Sequence, residues 1–234
     1  MIPVLIIPYL NRFDLVERLI ESIDERIDRL VIVDNARSGE MLTSRPAEYI
    51  RPISNLGCGG GFNAGIVQTP AAPWWLWASN DMEFGPGDMA AIAERVEGAS
   101  GPVMVTGDRK DARLLRNVYG AVNRATIEAV GLFDEWTFYP AYFEDDDYEY
   151  RCRQGDVEWI EYNGSIKHQR SSTIRSDPAI ARRNQDTYPQ NGARYVAKWG
   201  GPPGQERFSR PWNLPVPLSY TVPDLAGRAK RTWS

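Results

Sequence analysis

Short apolar runs alternate with amphipathic stretches through the first hundred residues of the chain. Three apolar runs, at residues 4–8, 30–33 and 74–78, each end in polar or turn-forming residues, and the stretch at 49–53 can form a further strand. Amphipathic stretches at residues 14–23 and 89–96 carry apolar side chains at helical spacing. Strands that alternate with helices are typical of a parallel sheet covered on both faces. We therefore expect a mostly parallel, doubly wound α/β sheet.

The second half of the chain keeps strand and helix signals but loses the strict alternation. Further strands are predicted at residues 102–106, 118–122 and 157–162, and further helices at 124–130, 147–154, 179–188 and 191–199. Residues 109–116 are charged and predicted to be exposed. Four prolines within residues 211–223 exclude a regular helix or a central strand in that stretch.

Two predicted strands end in an aspartate. The apolar run at residues 74–78 is followed closely by Asn80 and Asp81, and the run at 30–33 passes directly into Asp34. Open α/β sheets bind ligands at the edge where parallel strands end, so both carboxylates are candidate site residues. An aspartate at a strand end is also a common turn former, and this position alone does not establish a site.

Five glycines lie within residues 57–65, after Asn55 and before an apolar stretch typical of a helix. Glycines let backbone amides approach a ligand closely, and a helix N-terminus favours anions. The segment therefore predicts a loop that holds a diphosphate. A flexible linker is the other interpretation, although such linkers lack a following apolar helix. The spacing matches neither the lysine-containing phosphate loop nor the dinucleotide fingerprint.

Four consecutive acids at residues 144–147 follow a run of aromatic residues. One acid would cap a helix over residues 147–154, and the others would lie at the favourable end of its dipole. Crowded carboxyl groups also raise one another's pKa, which prepares a general base, so capping and catalysis both stay open. The aromatic run contains Trp136, Phe138, Tyr139, Tyr142 and Phe143.

Composition narrows the class of protein. At 234 residues the chain is long enough for one large α/β domain with a full core. No run of 18 apolar residues occurs, so we expect no membrane span, and the N-terminus is typical of a first strand and not of a secretory signal. Cys58 and Cys152 lie far apart without metal-type spacing, which favours a reduced, cytoplasmic protein. His168 is the one histidine of the chain.

Charge is divided unevenly along the chain. Residues 1–162 carry 15 Lys and Arg against 27 Asp and Glu, a net charge of −12, whereas residues 163–234 carry 12 against 4, a net charge of +8. A basic tail suits an anionic partner, and it equally suits packing against an acidic body. Both interpretations stay open.

Six segments of the chain, taken together, carry a further signal. They are residues 7–12, 33–35, 55–65, 79–81, 130–151 and His168. In this order they resemble segments of the GT-A glycosyltransferases of family 2, and the spacing at 55–65 resembles the rhamnosyl- and galactofuranosyl-transferase-like branch. The resemblance implies a GT-A fold over residues 1–170. Donor binding would belong to residues 1–100 and the acceptor and base to 101–170, with 171–234 a basic, proline-rich extension on the acceptor side.

The resemblance also implies an inverting, metal-dependent transfer from a nucleotide-diphosphate sugar, with UDP or dTDP as the nucleotide, to an acceptor hydroxyl. Asp81 and His168 would hold a divalent metal, Mn²⁺ or Mg²⁺, since oxygen ligands with one imidazole suit these ions. Asp145 or Glu144 would deprotonate the acceptor hydroxyl. The residues that would contact the donor are Pro8, Tyr9, Arg12, Asp34, Asn55, Gly57, Gly61, Asn63 and Asn80.

The acceptor stays open at this stage. The basic region suits an anionic acceptor such as a modified base in DNA, whereas the aromatic run suits a glycan or a protein. Residues 195–201 resemble a lysine-tryptophan-glycine segment that follows the catalytic domain in some transferases and would bring basic groups near the substrates. The C-terminal tail is also a candidate homodimer contact. The basic residues in question are Arg170, Arg175, Arg182, Arg183, Arg194 and Lys198.

Two other functions are compatible with such a fold. A nucleotidylyltransferase would also need a nucleotide and a metal, but residues 8–11 lack the Arg- or Lys-bearing glycine loop that those enzymes usually place after the first strand. A non-catalytic nucleotide-sugar-binding module would have no need of Asp81, Asp145 and His168, all of which are present.

Overall fold

The computed structural model describes residues 1–107, 118–169 and 172–211. The strands in these ranges are β1 (Ile2–Tyr9), β2 (Ile27–Asp34), β3 (Glu48–Ile50), β4 (Trp74–Ala78), β5 (Met82–Glu83), β6 (Val103–Thr106), β7 (Tyr119–Asn123), β8 (Glu158–Glu161) and β9 (Lys167–His168). The helices are α1 (Phe13–Glu21), α2 (Gly57–Gln68), α3 (Asp88–Glu97), α4 (Arg124–Val130), α5 (Glu144–Gln154), α6 (Ser172–Arg175) and α7 (Pro178–Trp199). The predictions for residues 109–116, for Arg170 and for nearly all of the proline-rich stretch at 211–223 lie outside the described residues.

Seven strands form one sheet in the order β3-β2-β1-β4-β7-β6-β8. Strands β3, β2, β1 and β4 pair in parallel, and β6 pairs in parallel with β8. Strand β7 lies between β4 and β6 and is antiparallel to both. Within this sheet β7 alone opposes the common direction, which confirms the predicted mostly parallel α/β architecture.

Side chains of the central strands alternate between two hydrophobic cores. On β4, Trp74 and Leu76 pack in one core with α1 and α3, and Trp75 and Trp77 pack in the other with α2, α4 and α5. Burial on both faces explains why the apolar run of β4 has no polar interruption. Because helices cover both faces, the edge where β1, β2 and β4 end is the place left for a ligand.

The glycine-rich stretch is helical. The sequence predicts a loop there, but α2 begins at Gly57 and runs through the glycines. A Cβ atom at Gly61 would lie 3.0 Å from Pro8, and one at Gly65 would lie 2.5 Å from Ile6, both on β1. The prediction of a loop is wrong because close packing on β1 requires these glycines in a helix, against their low helix propensity.

One long helix replaces the two predicted near the C-terminus. Helix α7 continues through Pro189, although the sequence predicts separate helices at 179–188 and 191–199. On one side of the proline Tyr188 packs on the aromatic segment before α5, and on the other side Asn191 donates to backbone carbonyls of that segment. These contacts hold both halves in line despite the hydrogen bond that proline removes.

The predicted boundaries of short strands also differ from the observed ones. Strand β3 covers Glu48–Ile50 where the sequence predicts 49–53, and β8 covers Glu158–Glu161 where it predicts 157–162. Strands β5 and β9 have two residues each and pair antiparallel in a small separate sheet. Among the helices in the described ranges, none is long and apolar enough to cross a membrane.

Candidate active site

A cleft of about 520 Å³ lies at the edge of the sheet where β1, β2 and β4 end. Its walls come from the ends of these strands, the start of α2, the start of α5, and the C-terminal helices α6 and α7. All four predicted catalytic and metal-binding residues and the predicted donor residue Asn80 line it together, which brings distant parts of the chain to one place. They are Asn80, Asp81, Glu144, Asp145 and His168.

Asp81 and His168 form the best-defined contact in the cleft. The His168 Nε2 atom lies 3.1 Å from Asp81 Oδ1, and both side chains are buried. Strand pairing sets this contact, because Met82 on β5 pairs with His168 on β9 and the Gln169 amide donates to the Asp81 carbonyl. The His168 Nδ1 atom is buried without a protein partner in the described ranges.

This pair fits a divalent metal ion in part. Two ligand atoms about 2.1 Å from an octahedral ion are about 3 Å apart when they are adjacent, which agrees with the observed separation. A carboxylate oxygen with an imidazole nitrogen suits Mn²⁺ and Mg²⁺. No group of three or more His, Cys, Asp or Glu side chains that could hold an ion occurs among the described residues. Two protein ligands of this kind leave further positions for ligand oxygens and water.

The four acids all lie in the first turn of α5. The sequence predicts a helix start at Asp147 with an acid as its cap, whereas α5 begins at Glu144 and no side chain caps it. The preceding residue, Phe143, takes a left-handed conformation with φ of 71°. The predicted start is therefore wrong by three residues. The earlier start turns Glu144 and Asp145 into the cleft wall.

Asp147 is held entirely by structural partners. Arg151 Nε donates to its Oδ2 at 2.9 Å, Trp199 Nε1 donates to its Oδ1 at 2.9 Å, and Lys198 Nζ lies 2.6 Å from Oδ1. Lys198 also lies 2.7 Å from Asp134 Oδ2, and its side chain is buried. Lys198 therefore belongs to a buried ion network and does not line the cleft, unlike the prediction that its segment would lie near the substrates.

Glu144 has a strongly altered acidity. Its side chain is buried, and burial raises the pKa of the carboxyl well above its usual value, with the charge of Asp145 raising it further. A hydrogen bond from the Cys58 thiol opposes this rise only in part. The Glu144 Oε2 atom is buried with no partner in the described parts of the chain. Glu144 thus stays protonated to higher pH than an ordinary glutamate and can donate a hydrogen bond into the cleft.

Asn80 ties the cleft to the C-terminal helices. Its Nδ2 donates to the Asn11 carbonyl at 3.0 Å, and its Oδ1 accepts from the Thr173 hydroxyl at 2.9 Å. Asn11 Nδ2 donates in turn to the Thr173 carbonyl at 2.9 Å. The predicted donor residue Asn80 therefore has a second role, because it fixes α6 against the end of β1.

The predicted donor residues divide into two groups. Five line the cleft and four do not. Arg12 is partly exposed and pairs with Asp14 at 2.7 Å. The lining residues are Pro8, Tyr9, Asn55, Gly57 and Asn80, and the others are Arg12, Asp34, Gly61 and Asn63.

Asp34 and Asn63 are buried, and both make bonds inside the protein. Asp34 accepts from the Ser38 and Gly39 amides, both at 3.2 Å, which shapes the loop after β2. Asn63 donates to the Phe133 carbonyl at 2.9 Å and accepts from the Phe133 amide at 2.9 Å. These contacts account for both residues as parts of the frame around the cleft.

The start of α2 is held by hydrogen bonds within the protein. The amides of Leu56, Gly57 and Cys58 donate to Asn35 Oδ1, Asn55 Oδ1 and the Pro140 carbonyl at 3.0, 2.8 and 2.8 Å. These three donors are therefore engaged, whereas the sequence predicts that the amides of this segment cradle a diphosphate. Asn35, which follows Asp34 at the end of β2, is the residue that sequence reasoning missed here.

Helices α6 and α7 contribute cleft residues that sequence reasoning did not place. Thr173, Ile180, Arg183 and Asn184 all line it. The sequence identifies Arg183 as part of a basic region, but it has no strand or motif signal that assigns it to the site. Of the aromatic run, Tyr142 lines the cleft, and Phe138 is buried in a core of its own with α7, where it cannot stack on a sugar.

Comparisons with known proteins agree with this geometry. The family model described as glycosyl transferase family 2 matches residues 4–149. That range contains most of β1, the Asp81 turn and the acids of α5, and it ends before His168 and the C-terminal helices. No curated protein sequence matches the chain.

Three solved structures share a similar fold but are distant in sequence. The mannosyltransferase PcManGT from Pyrobaculum calidifontis, in complex with GDP-Man and Mn²⁺, has a TM-score of 0.57 at 14% identity, with 86% of this chain and 65% of that chain covered. Glucosyl-3-phosphoglycerate synthase from Mycobacterium tuberculosis, with Mn²⁺, UDP and phosphoglyceric acid, has 0.53 at 14%, with 82% and 78% covered. TarS 1–349 from S. aureus has 0.51 at 12%, with 84% and 70% covered. The chain thus spans slightly less than two thirds of PcManGT, and these likenesses show a shared GT-A fold.

Proposed function

The chain belongs to glycosyl transferase family 2, and from this premise we propose that it transfers a sugar from a nucleotide-diphosphate donor to an acceptor hydroxyl with inversion at the anomeric carbon. The observation that carries the proposal is the cleft itself. It brings the Asp81–His168 pair and the acids Glu144 and Asp145 to one edge of the sheet. In such a site the Asp81–His168 pair is available for the leaving diphosphate, and the acids are available to accept the proton of the acceptor hydroxyl.

Asp81 and His168 are the residues that would hold the divalent metal. Bound there, Mn²⁺ or Mg²⁺ would neutralise negative charge on the leaving diphosphate. Two neighbours of the same fold carry Mn²⁺ in their structures, PcManGT with GDP-Man and the M. tuberculosis synthase with UDP-Glc, which supports a nucleotide sugar as the donor. We propose UDP or dTDP as the nucleotide, from the resemblance to the rhamnosyl- and galactofuranosyl-transferase-like branch.

Asp145 is the general base in this proposal. Glu144 beside it has a raised pKa and stays protonated to higher pH, so it is poorly suited to accept a proton at neutral pH. Asp145 lines the cleft and is more exposed to it. It would take the proton of the acceptor hydroxyl while that oxygen attacks the anomeric carbon from the face opposite the diphosphate. A single displacement of this kind inverts the configuration.

Glu144 has a different part in the same site. A protonated carboxyl both donates and accepts hydrogen bonds, whereas an ionised carboxylate only accepts them. Its Oε2 atom, buried and without a partner in the described ranges, would bind a sugar hydroxyl. The acid pair thus divides between proton transfer by Asp145 and substrate orientation by Glu144.

A panel of nucleotide sugars tests the proposal. The protein is incubated with UDP-, dTDP- and GDP-sugars, with Mn²⁺ or with chelator, and products are identified by mass spectrometry. We expect the protein to release a nucleoside diphosphate from donors of one nucleotide class, by sugar transfer or by slow donor hydrolysis. This release should occur with Mn²⁺ and not with chelator. Release of pyrophosphate from a nucleoside triphosphate and a sugar 1-phosphate would instead identify a nucleotidylyltransferase. Tight nucleotide-sugar binding without any turnover would identify a binding module.

A further inference from the structure

We propose that Arg183 and Asn184, on the cleft side of α7, form a subsite for an anionic oxygen group, a phosphate or a carboxylate, carried by the acceptor. This inference rests on the proposed function, because it assigns a substrate class to the same cleft. The other interpretation of Arg183, a contact to the diphosphate of the donor, is an outcome of the test below.

Arg183 is the one Arg or Lys among the residues that line the cleft in the described parts of the chain. Its guanidinium lies over the ring of Tyr139, 5.0 Å from the centroid. No carboxylate of the described residues forms an ion pair with it, whereas Lys198 on the same helix has two. A guanidinium stacked on a ring keeps its in-plane N–H donors for an oxyanion. Arg183 is thus a charged donor in the cleft without an internal counterion.

Tyr139 gives Arg183 a fixed support. The Tyr139 hydroxyl donates to the Asn55 carbonyl at 3.0 Å, so the ring is anchored at the start of α2. An arginine held by stacking loses less side-chain entropy when it binds a ligand than one that is free in solvent. The support therefore favours binding over a purely solvated surface charge.

Asn184 adds a neutral polar group next to Arg183. Its Oδ1 atom is buried and has no hydrogen-bond partner in the described parts of the chain, and the residue lines the cleft. A buried acceptor left unpaired is less favourable than one that accepts a hydrogen bond. A hydroxyl of the bound acceptor would satisfy it, so the two residues together suit a molecule that carries both a hydroxyl and an anionic group.

Packing links the subsite to the segment that carries the acids. Helix α7 runs along the segment that leads into α5, because Tyr188 packs on Tyr142 with centroids 5.2 Å apart and Asn191 donates to the Ala141 carbonyl. Tyr139, which supports Arg183, belongs to this same segment. An acceptor must reach Asp145 at the start of α5, whereas the diphosphate is drawn to Asp81 and His168 at the end of β4 and on β9. Arg183 is accordingly placed for the acceptor.

The surrounding charges give Arg183 a deciding influence on specificity. The lining also contains the carboxylates Asp81, Asp145 and Asp146, which disfavour an anion in general. Without Arg183 the cleft would therefore prefer a neutral acceptor. With Arg183 present, the cleft has one position that favours a negatively charged group of the acceptor.

The test measures binding of sn-glycerol 3-phosphate and of glycerol, two probes that differ in the phosphate. Titrations are followed by saturation-transfer difference NMR with Mg²⁺, with and without saturating UDP. We expect saturable binding of glycerol 3-phosphate and at least about tenfold weaker binding of glycerol, since a charge-assisted hydrogen bond contributes about 1.5–3 kcal/mol. Arg183→Ala should remove this difference. Arg182 and Arg183 are both exposed on α7, but Arg182 does not line the cleft, so Arg182→Ala should leave the difference unchanged.

Three results would overturn the subsite, and each differs from failure of the proposed function. Equal binding of the two probes by the wild-type protein would show that the cleft does not recognise the phosphate. Equal losses in Arg183→Ala and Arg182→Ala would show a general charge effect. Weaker UDP binding in Arg183→Ala with unchanged glycerol 3-phosphate binding would assign Arg183 to the donor. Absence of any UDP, dTDP or GDP binding would instead contradict the proposed function. The titration without nucleotide would still measure binding at the subsite.

Discussion

Asp81 and His168 lie 87 positions apart in the sequence, yet their side-chain atoms approach to 3.1 Å. Each residue can be identified from sequence, Asp81 because it follows a buried strand and His168 because it is the one histidine. Their contact could not be derived from the pattern alone, because it depends on β5 and β9, which have two residues each. Strands this short leave no periodic signal.

The buried Glu144 carboxyl makes stability depend on pH. Its folded pKa is raised, so the native state binds more protons than the unfolded state once pH exceeds the unfolded value of about 4.3. The free energy of unfolding of the wild-type protein therefore loses a contribution as pH rises through this window. Glu144→Gln has no proton to lose, so its stability relative to wild type should increase with pH. Urea denaturation of both proteins from pH 5 to 9 checks this, and parallel pH curves would contradict it.

Gly65 tests the packing of α2 on β1. A Cβ atom there would lie 2.5 Å from the Ile6 side chain, which is fully buried. We expect Gly65→Ala to lower the free energy of unfolding by about 1–3 kcal/mol, because overpacking outweighs the gain in helix propensity. Gly101→Ala is the control, since nothing lies within 4 Å of a Cβ atom at that position. Thermal or urea unfolding measures both, and equal stability of the two variants would argue against close packing.

At the scale of elements, the long apolar strands were predictable and the glycine helix was not. Uninterrupted apolar runs predict strands β1, β2 and β4, since both faces of these strands are buried. Helix α2 contains five glycines, and local propensity predicts a loop there. Its helical state follows from contacts with β1 and with residue 133, which the sequence alone does not display.

Helix α7 holds the start of α5 through buried charge. Lys198 lies between Asp134 and Asp147, at 2.7 and 2.6 Å, and Asp147 is in the first turn of α5. The sequence leaves open whether the basic region packs on the acidic body or faces a partner. Lys198 packs on the acidic body, whereas the position of Arg183 in the cleft is compatible with contact to a partner molecule. The spacing of charges along the sequence could not distinguish these two roles, because Arg183 and Lys198 lie on the same helix.

Removal of the buried cation should be costly. Lys198→Met removes the buried cation that contacts Asp134 and Asp147, so we expect a loss of about 3–5 kcal/mol in the free energy of unfolding. Arg182→Met, an exposed cation on the same helix, should change it by less than about 0.5 kcal/mol. Urea denaturation compares the two. Similar small effects would mean that the network does not hold α7 on the domain.

At the scale of the whole molecule, the sheet could be predicted and the closure of the cleft could not. Alternating strands and helices indicate the α/β class, and the ordered motifs indicate family 2, as the match over residues 4–149 confirms. The wall built by α6 and α7 lies beyond that match and carries no motif. Its position follows from long-range bonds such as those between Asn11, Asn80 and Thr173.

Asp81→Asn tests the central claim most directly. The substitution keeps the size and most hydrogen-bonding capacity of the side chain but removes the charge that would hold a metal beside His168. The control is Glu83→Gln, an equal loss of charge two residues away and outside the cleft lining. Both variants and the wild type are assayed with Mn²⁺ and with chelator for nucleoside diphosphate release from the best donor of the panel.

We predict that Asp81→Asn reduces release with Mn²⁺ to the level that wild type shows with chelator, with near-unchanged thermal unfolding. Glu83→Gln should retain the activity and the metal dependence of wild type. Metal-dependent release by Asp81→Asn at the wild-type rate would contradict the assignment of Asp81 and His168 as the metal site, and with it the account of this cleft as the centre of a metal-dependent glycosyl transfer.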